Sequence, residues 1–502
     1  MAKEPALSEQ PTTRPMTGDE YLESLRDGRA VYAYGERVED VTTHPAFATP
    51  VRTIARMYDA LHDPGSGMAT VPTDTGSGGF THPFFRVART VDDLRASRDA
   101  IAHWARMSYG WMGRTPDYKA AFLATLGSNG EFFAPYQENA ARWYRESQEK
   151  VLFWNHALAN PPVDRHLPAD QVGDVVLHVE RETDAGLVVA GAKVVATGAA
   201  MTHMTFLADA GAPVKDKRFA IIAGVPMDAP GLKLISRASY SLAARAGSPY
   251  DYPLSSRFDE NDPILVLDDV LIPWENVFAY GDAKPIGEGG FGVRLTLHGA
   301  TRLAVKLDFL CGLLIRSLEL AGKESDPGLR TRAGEALAWR NMAWSLTDSM
   351  VLNPEQGVGA ALDPNLAATH AYRWLSMVGY SRVRQIILQD LGSALIYLPS
   401  SAKDFESPEI RPYLDKYVRG TGGVDAEHRV KTLKMMWDAV GTEFGGRHEL
   451  YELNYQGSQD VIRTLIYQSM RGTGHLDGMM SLVDRALSEY DLEGWIAPDY
   501  RG

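Results

Sequence analysis

The stretch richest in groups able to do chemistry is Ser108-Tyr-Gly-Trp-Met-Gly-Arg-Thr-Pro-Asp-Tyr118. It sets one guanidinium among aromatic rings, and its glycines let backbone approach a ligand closely. Arg114 and Tyr118 are four residues apart, so a helical turn after Pro116 puts them on one face. A second stretch, Phe153-Trp-Asn-His-Ala-Leu158, holds a histidine among aromatics and continues into the stiff Asn160-Pro-Pro-Val-Asp-Arg165. A histidine titrates near neutral pH and suits proton transfer. Taken alone, His156 reads better as a hydrogen-bonded core histidine. A third pair of segments, Phe444-Gly-Gly-Arg-His448 and Tyr455-Gln-Gly-Ser-Gln459, flanks a short polar helix. Backbone N–H groups and Arg447 there suit a phosphate, and helix caps explain the same residues equally well.

Other motifs fail on context. Gly287-Glu-Gly-Gly-Phe-Gly292 matches GxGxxG, but it follows a Pro-containing loop rather than a strand. A flexible loop is expected there, with no Rossmann nucleotide site. His448-Glu449 lacks the second histidine of HExxH, because position 452 is Glu, and Ser458 is not on a nucleophile elbow. Cys311 is the only cysteine and lies among leucines, so it reads as an inert buried thiol. One cysteine excludes an internal disulfide and any zinc or iron–sulfur site built from several thiolates.

The elements that must hold these residues follow a helix–β–helix order. Residues 1–15 read as a disordered tail. Residues 16–158 read as a helical domain, opened by the capping box Thr17-Gly-Asp-Glu20 and continued by a helix from Val91. Pro72 to His82 reads as loop. Residues 159–285 read as a β domain, with strands near 175–180, 187–197, 219–225, 232–236 and 264–272 and a hairpin turn at Thr183-Asp-Ala-Gly186. Residues 286–502 read as a helical bundle, with Leu303, Leu307, Leu310, Cys311, Leu314 and Leu318 on one helical face.

Across 502 residues, 51 Lys and Arg stand against 64 Asp and Glu, for a net charge of -13. That balance argues against a nucleic-acid partner, which needs basic surface to displace counterions. No apolar run suits a signal peptide or a membrane span, so a cytoplasmic protein is expected.

Taken together, several segments resemble the oxygenase component of the 4-hydroxyphenylacetate 3-hydroxylase family. They include Arg14 to Leu22, Tyr34-Gly-Glu-Arg-Val38, Asp40 to Phe47, Thr73 to Phe80 and Ser108 to Ala120. Thr183 to Thr197, Gly247 to Asn261, Ile272 to Val277 and Phe444 to Leu450 continue the likeness, in order, over nearly the whole chain. The resemblance implies an acyl-CoA-dehydrogenase-like fold: an N-terminal helical domain, a middle β-barrel and a C-terminal four-helix bundle, assembled as a homotetramer. It implies FADH2, delivered by a separate NAD(P)H-dependent flavin reductase, and O2 as co-substrate. The implied reaction is ortho-hydroxylation of a 4-hydroxyphenyl substrate to a catechol through a flavin C4a-hydroperoxide.

By the same resemblance, Arg114, Tyr118 and His156 surround the substrate hydroxyl as the catalytic group. Thr115, Pro116, Asp117, Asp209, Ala210 and Gly211 are expected on the substrate. His156, Ala157, Leu158, Pro162, Val163, Asp164, Arg165, Thr197, Tyr455, Gln456, Gly457, Ser458 and Gln459 are expected on the flavin. No metal is expected. The chain departs from the family in the loop after Thr205, where relatives often place hydroxyls to meet a substrate carboxylate. Here Asp209 would repel a carboxylate and Gly211 has no hydroxyl. The expectation is therefore a substrate carrying an amine, or a phenol tethered to a carrier protein. A non-catalytic flavin-binding scaffold is the alternative from another class.

Overall fold

The computed structural model describes residues 13–164, 166–208, 216–281 and 290–497. The N-terminal part is helical: Gly18–Ser24, Ala48–Ala60, Val91–Met107, Ala120–Ser128 and Gln137–Lys150. Its helix starts are written locally. Thr17 and Glu20 form the expected capping box, and Thr90 and Asp93 form another at Val91. The 72–82 loop carries only a two-residue strand pair, Val71–Pro72 with Phe80–Thr81.

The β unit consists of two sheets. The larger runs in the order Glu36–Val38, Ala30–Ala33, Leu232–Ile235, Ile264–Pro273, Gly186–Lys193, His178–Thr183. Its last two strands are joined by the expected turn, closed by Thr183 and Gly186. At the other side, a hairpin from the start of the chain joins the sheet, with Val31 opposite Leu234 in parallel register. The smaller sheet runs Val277–Tyr280, Ile221–Pro226, Met204–Ala208, Trp154–Ala157. Its edge pair is parallel, with His156 opposite Phe206. Met204–Ala208 was not among the expected strands. Every one of its residues is buried, so it lacks the alternation that marks a half-exposed strand.

The C-terminal part is a bundle led by Phe291–Leu320, Pro327–Leu352 and Leu366–Leu391. Ala426–Val440, Glu443–Asn454, Gln459–Gly472 and His475–Leu487 follow. Asp326, Asn365, Asp425, Thr442 and Ser458 cap the N-termini of their helices. Leu303, Leu307, Leu310, Cys311, Leu314 and Leu318 are all buried, as their spacing predicts. The arrangement is acyl-CoA-dehydrogenase-like. Of the GxGxxG loop, Gly287, Glu288 and Gly289 lie outside the described residues, and Phe291 opens a helix. Among the described residues, no helix is long and apolar enough to cross a membrane.

Candidate active site

The helix Val91–Met107 ends in a tight turn at Tyr109 and Gly110, both with positive φ. A side chain at Gly110 would come within 2.6 Å of the Lys306 backbone, so only glycine lets the turn press against the long helix. The chain then passes Arg114 and enters a 3-10 turn, Pro116–Lys119, that runs into the helix Ala120–Ser128. This turn gives the juxtaposition that the spacing predicted: the Arg114 guanidinium lies 4.0 Å from the centre of the Tyr118 ring. The Arg114 backbone N–H donates to the Glu260 carboxylate, and its Nη1 donates to the Tyr451 hydroxyl. The Tyr451 and Tyr455 rings stack at 4.5 Å, and Arg114 faces both, at 4.9 and 5.9 Å. A side chain at Gly113 would meet the Tyr451 hydroxyl at 2.5 Å, so the first and last parts of the chain interlock here.

His156 reaches the same place from the edge strand of the smaller sheet. Its ring lies 5.8 Å from that of Tyr118 and stacks toward Phe122 at 6.3 Å. Its Nδ1 is buried with no hydrogen-bond partner among the described residues. Burial, then the charges of Lys119 and Arg114, hold its pKa well below the usual imidazole value, so the ring is neutral at neutral pH. Burial pushes the Tyr118 phenol up to about 12, against the pull of Arg114.

Thr115 and Asp117 turn their polar atoms the other way. Asp117 accepts from the Thr115 hydroxyl, faces His298 Nε2 at 3.2 Å and lies 3.8 Å from His82 Nε2. His298 meets the edge of the Tyr118 ring at 5.2 Å, so this buried group braces Tyr118 from behind. Pro116 opens the turn. Asp209, Ala210, Gly211 and Arg165 lie outside the described residues.

The residues expected on the flavin fall into three sets. Ala157 is buried in the His156 strand opposite Leu207, and the Leu158 carbonyl accepts from Lys193 Nζ at 3.4 Å. Thr197 donates to Asp262 at 2.6 Å, and Asp262 is gripped by Arg447 and Arg237. The following residue, Gly198, is where a side chain would lie 3.6 Å from Arg114. Tyr455 closes the helix Glu443–Asn454, and its hydroxyl pairs with that of Tyr372 at 3.2 Å. The Gln456 carbonyl accepts from Arg373 at 2.6 Å while its Nε2 is buried and unpartnered among the described residues. Gly457 takes a φ of 106°, Ser458 caps the next helix and Gln459 begins it. Pro162, Val163 and Asp164 form an exposed turn, apart from this cluster.

Sequence reasoning passed over Glu260, Tyr451 and Lys119. For Tyr451 a signal existed: Arg447, Tyr451 and Tyr455 are spaced by four along one helix face. The adjacent face carries His448 and Glu452, which join a fully buried ionic group. There Arg302 is bidentate on Glu452 and Lys306 Nζ lies 3.0 Å from the same carboxylate.

The chain matches two family models, the N-terminal region of 4-hydroxyphenylacetate 3-hydroxylase over residues 17–279 and its C-terminal region over 286–486. It is 58% identical to a Streptomyces globisporus monooxygenase of (3S)-3-amino-3-(3-chloro-4-hydroxyphenyl)propanoyl carried on the peptidyl-carrier protein SgcC2. That match covers 97% of this chain and 93% of the relative. It is 54% identical to the 4-hydroxyphenylacetate 3-monooxygenase oxygenase component of Escherichia coli, over 97% of this chain and 95% of the relative. Among solved structures, the oxygenase component of 4-hydroxyphenylacetate 3-monooxygenase complexed with FAD and 4-hydroxyphenylacetate superposes with a TM-score of 0.87. The two share 28% identity over 94% of this chain and 99% of that one. The chain therefore belongs to the 4-hydroxyphenylacetate 3-hydroxylase family, as the FAD-using oxygenase component of a two-component monooxygenase.

Proposed function

We propose that this protein hydroxylates a 4-hydroxyphenyl substrate ortho to its hydroxyl, with Arg114, Tyr118 and His156 around that hydroxyl. The observation carrying the assignment is the convergence of the buried Arg114 and Tyr118 with the half-buried His156 on one spot. A phenol ring becomes electron-rich as its proton leaves, and a free phenol holds that proton up to a pH of about 10. Neutral His156 accepts from the hydroxyl. Arg114, a permanent cation, stabilises the phenolate, and the high pKa of Tyr118 keeps its own hydroxyl a donor. Phe122, Phe206 and Phe291, in mutual contact, keep water from this side.

The residues fit a flavin on one count that is independent of kinship. Buried polar atoms of His156 and Gln456 are left without partners among the described residues, and the Arg114 group touches the segments that bear them. His156, Ala157, Leu158, Thr197 and the 455–459 turn would hold the ring system, with Pro162, Val163 and Asp164 contributing from the exposed turn. Reduced FAD, delivered by a separate reductase, supplies together with O2 the electrophilic oxygen.

For the substrate, we favour an amine-bearing or carrier-tethered phenol. The Streptomyces globisporus relative acts on such a molecule, and Asp209 suits an ammonium better than a carboxylate. Exposed apolar side chains on the last two helices, Tyr467, Met479, Met480, Leu482 and Val483, support a homo-oligomer, here a tetramer. The cytoplasm, where the reductase finds NAD(P)H, is its place of work. The test is to mix protein and anaerobically reduced FAD with oxygen and a phenol panel, and to measure catechol. Catechol from one class of phenol supports the assignment. Peroxide alone, with every phenol unchanged, refutes it, and equal turnover of free 4-hydroxyphenylacetate and amine-bearing phenols refutes the substrate class.

A further inference from the structure

Two cavities that share no lining residue with the site above each gather cations. One, of about 550 Å³, holds Lys323, Lys416 and Arg419. The helices Phe291–Leu320 and Leu366–Leu391 both end at its wall, and the buried Asp390 lies there too. Carbonyl ends of helices and a carboxylate attract cations, so the charges of that cavity are already answered.

The other, of about 590 Å³, is different in kind. Arg52, Arg245 and Arg257 wall it, and among the described residues no carboxylate lines it. The guanidiniums of Arg52 and Arg245 make no hydrogen bond or ion pair among the described residues. Arg257 gives only its Nε, to the Pro253 carbonyl at 2.8 Å. The Ser256 hydroxyl, also in the wall, is buried and has no partner among the described residues. The helix Ala48–Ala60 starts here, with no side-chain cap from Phe47 and no acidic residue in its first turn. The positive end of its dipole therefore adds to the three cations. Neighbouring carboxylates are spent elsewhere. Asp40 accepts from the Thr42 N–H and faces Arg26 at 3.4 Å, while Asp251 accepts from the Ser248 N–H and meets Lys434 at 3.2 Å.

We propose that this cavity is a second ligand site, built for the diphosphate group of a small organic molecule. Guanidinium forks match phosphate oxygens, and a helix N-terminus favours the same anion. A terminal diphosphate ester carries about three negative charges at neutral pH, one for each arginine. The volume lies within the range of small-molecule sites. None of the residues assigned above to flavin or phenol lines this cavity. It is close to them in the chain, since Arg257 stands three residues before Glu260, which holds the Arg114 backbone. The Arg257 guanidinium also lies 4.8 Å from the Phe258 ring centre and 5.8 Å from that of Tyr109, where the turn toward Arg114 begins.

Arginine footprinting tests this on the full chain, with no variant needed. Phenylglyoxal modifies accessible guanidiniums, and peptide mass spectrometry reads each position. The probes are adenosine diphosphate, inorganic pyrophosphate and orthophosphate, at an ionic strength held constant with chloride. At about ten times its Kd, each diphosphate is expected to slow modification of Arg52 and Arg245 about tenfold, as mass action requires. Arg419, in the other cavity, is expected to react as before. No protection, or equal slowing at Arg419, overturns the proposal, and equal protection by the same concentration of orthophosphate overturns the choice of a diphosphate. Calorimetry gives the second measure. The double variant Arg52→Ala with Arg245→Ala is expected to bind adenosine diphosphate about tenfold more weakly, with its far-UV circular dichroism unchanged, because a charged hydrogen bond is worth about a tenfold change. Unchanged affinity in that variant also overturns the proposal.

Discussion

Two buried polar groups lie side by side in this molecule. In the bundle, Arg302, Lys306 and Glu452 are entirely buried, and each charge has an opposite charge in contact. Around Arg114, Lys119 is as deep and His156 is half-buried with its Nδ1 inside, yet Nζ and Nδ1 meet nothing among the described residues. Burying a polar group without a partner is costly, and folding alone does not favour it. The closed group therefore holds the bundle to itself, while the open one is left with bonding capacity for molecules that arrive later. The two touch through Tyr451, which accepts from Arg114 on one side and shows its ring to Arg302, at 5.2 Å, on the other.

The comparison breaks if the closed group proves dispensable for folding. Glu452→Gln leaves two buried cations unpaired, so it is expected to lower stability by about 3–5 kcal/mol in urea unfolding. Burial alone would raise the Glu452 pKa, but Arg302 and Lys306 outweigh it and bring it down to about 2. A depressed carboxylate contributes stability that is complete above its unfolded value of about 4.3 and is lost as pH falls toward 2. The wild-type urea midpoint is thus expected to fall across that window, and the Glu452→Gln midpoint to fall less steeply.

The comparison breaks equally if the open group governs folding. Arg114→Met is expected to cut kcat/KM by about 100- to 1,000-fold, the usual cost of one donor to a developing oxyanion, with the protein still folded. A loss of secondary structure in circular dichroism, in place of a selective loss of turnover, would contradict this. Tyr451→Phe probes the junction. It removes the acceptor for Arg114 Nη1 and is expected to lower kcat/KM about three- to tenfold, the worth of one hydrogen bond. The smallest effect concerns His156. Since it stays neutral well below its usual value, kcat/KM is expected to show no acid limb near pH 6.5. A limb there, absent in His156→Gln, would show a charged imidazole at rest.

Much of the frame was legible because its causes are local. The caps at Thr17 and Thr90 and the leucine face of 303–318 announce their helices within a few residues. Arg114 facing Tyr118 follows from Pro116 and a spacing of four. Met204–Ala208 was hidden because burial on both faces erases its periodicity. Glu260 and Tyr451 were hidden because they join Arg114 across 146 and 337 residues of chain. Lys119 was overlooked because a lysine beside a polar turn reads as a solvated tip. The all-buried run Ala120–Leu126 that follows it draws the turn inward instead. The kinship-based placement of His156 came from long ordered segments, since a lone histidine among aromatics does not distinguish a proton acceptor from a core residue.

The hairpin at Ala30–Val38 has a consequence for the birth of the protein. Its inner strand pairs with Leu232–Ile235, about 200 residues later in the chain. At a synthesis rate of about 5–20 residues per second, that partner emerges from the ribosome roughly 10–40 s after the hairpin does. Through that interval the nascent chain carries a ready strand edge with Val31 exposed and nothing to pair it, a template for sticking to neighbouring chains. Yield in a heterologous host should therefore respond to elongation rate and chaperone supply more than to changes in the active site.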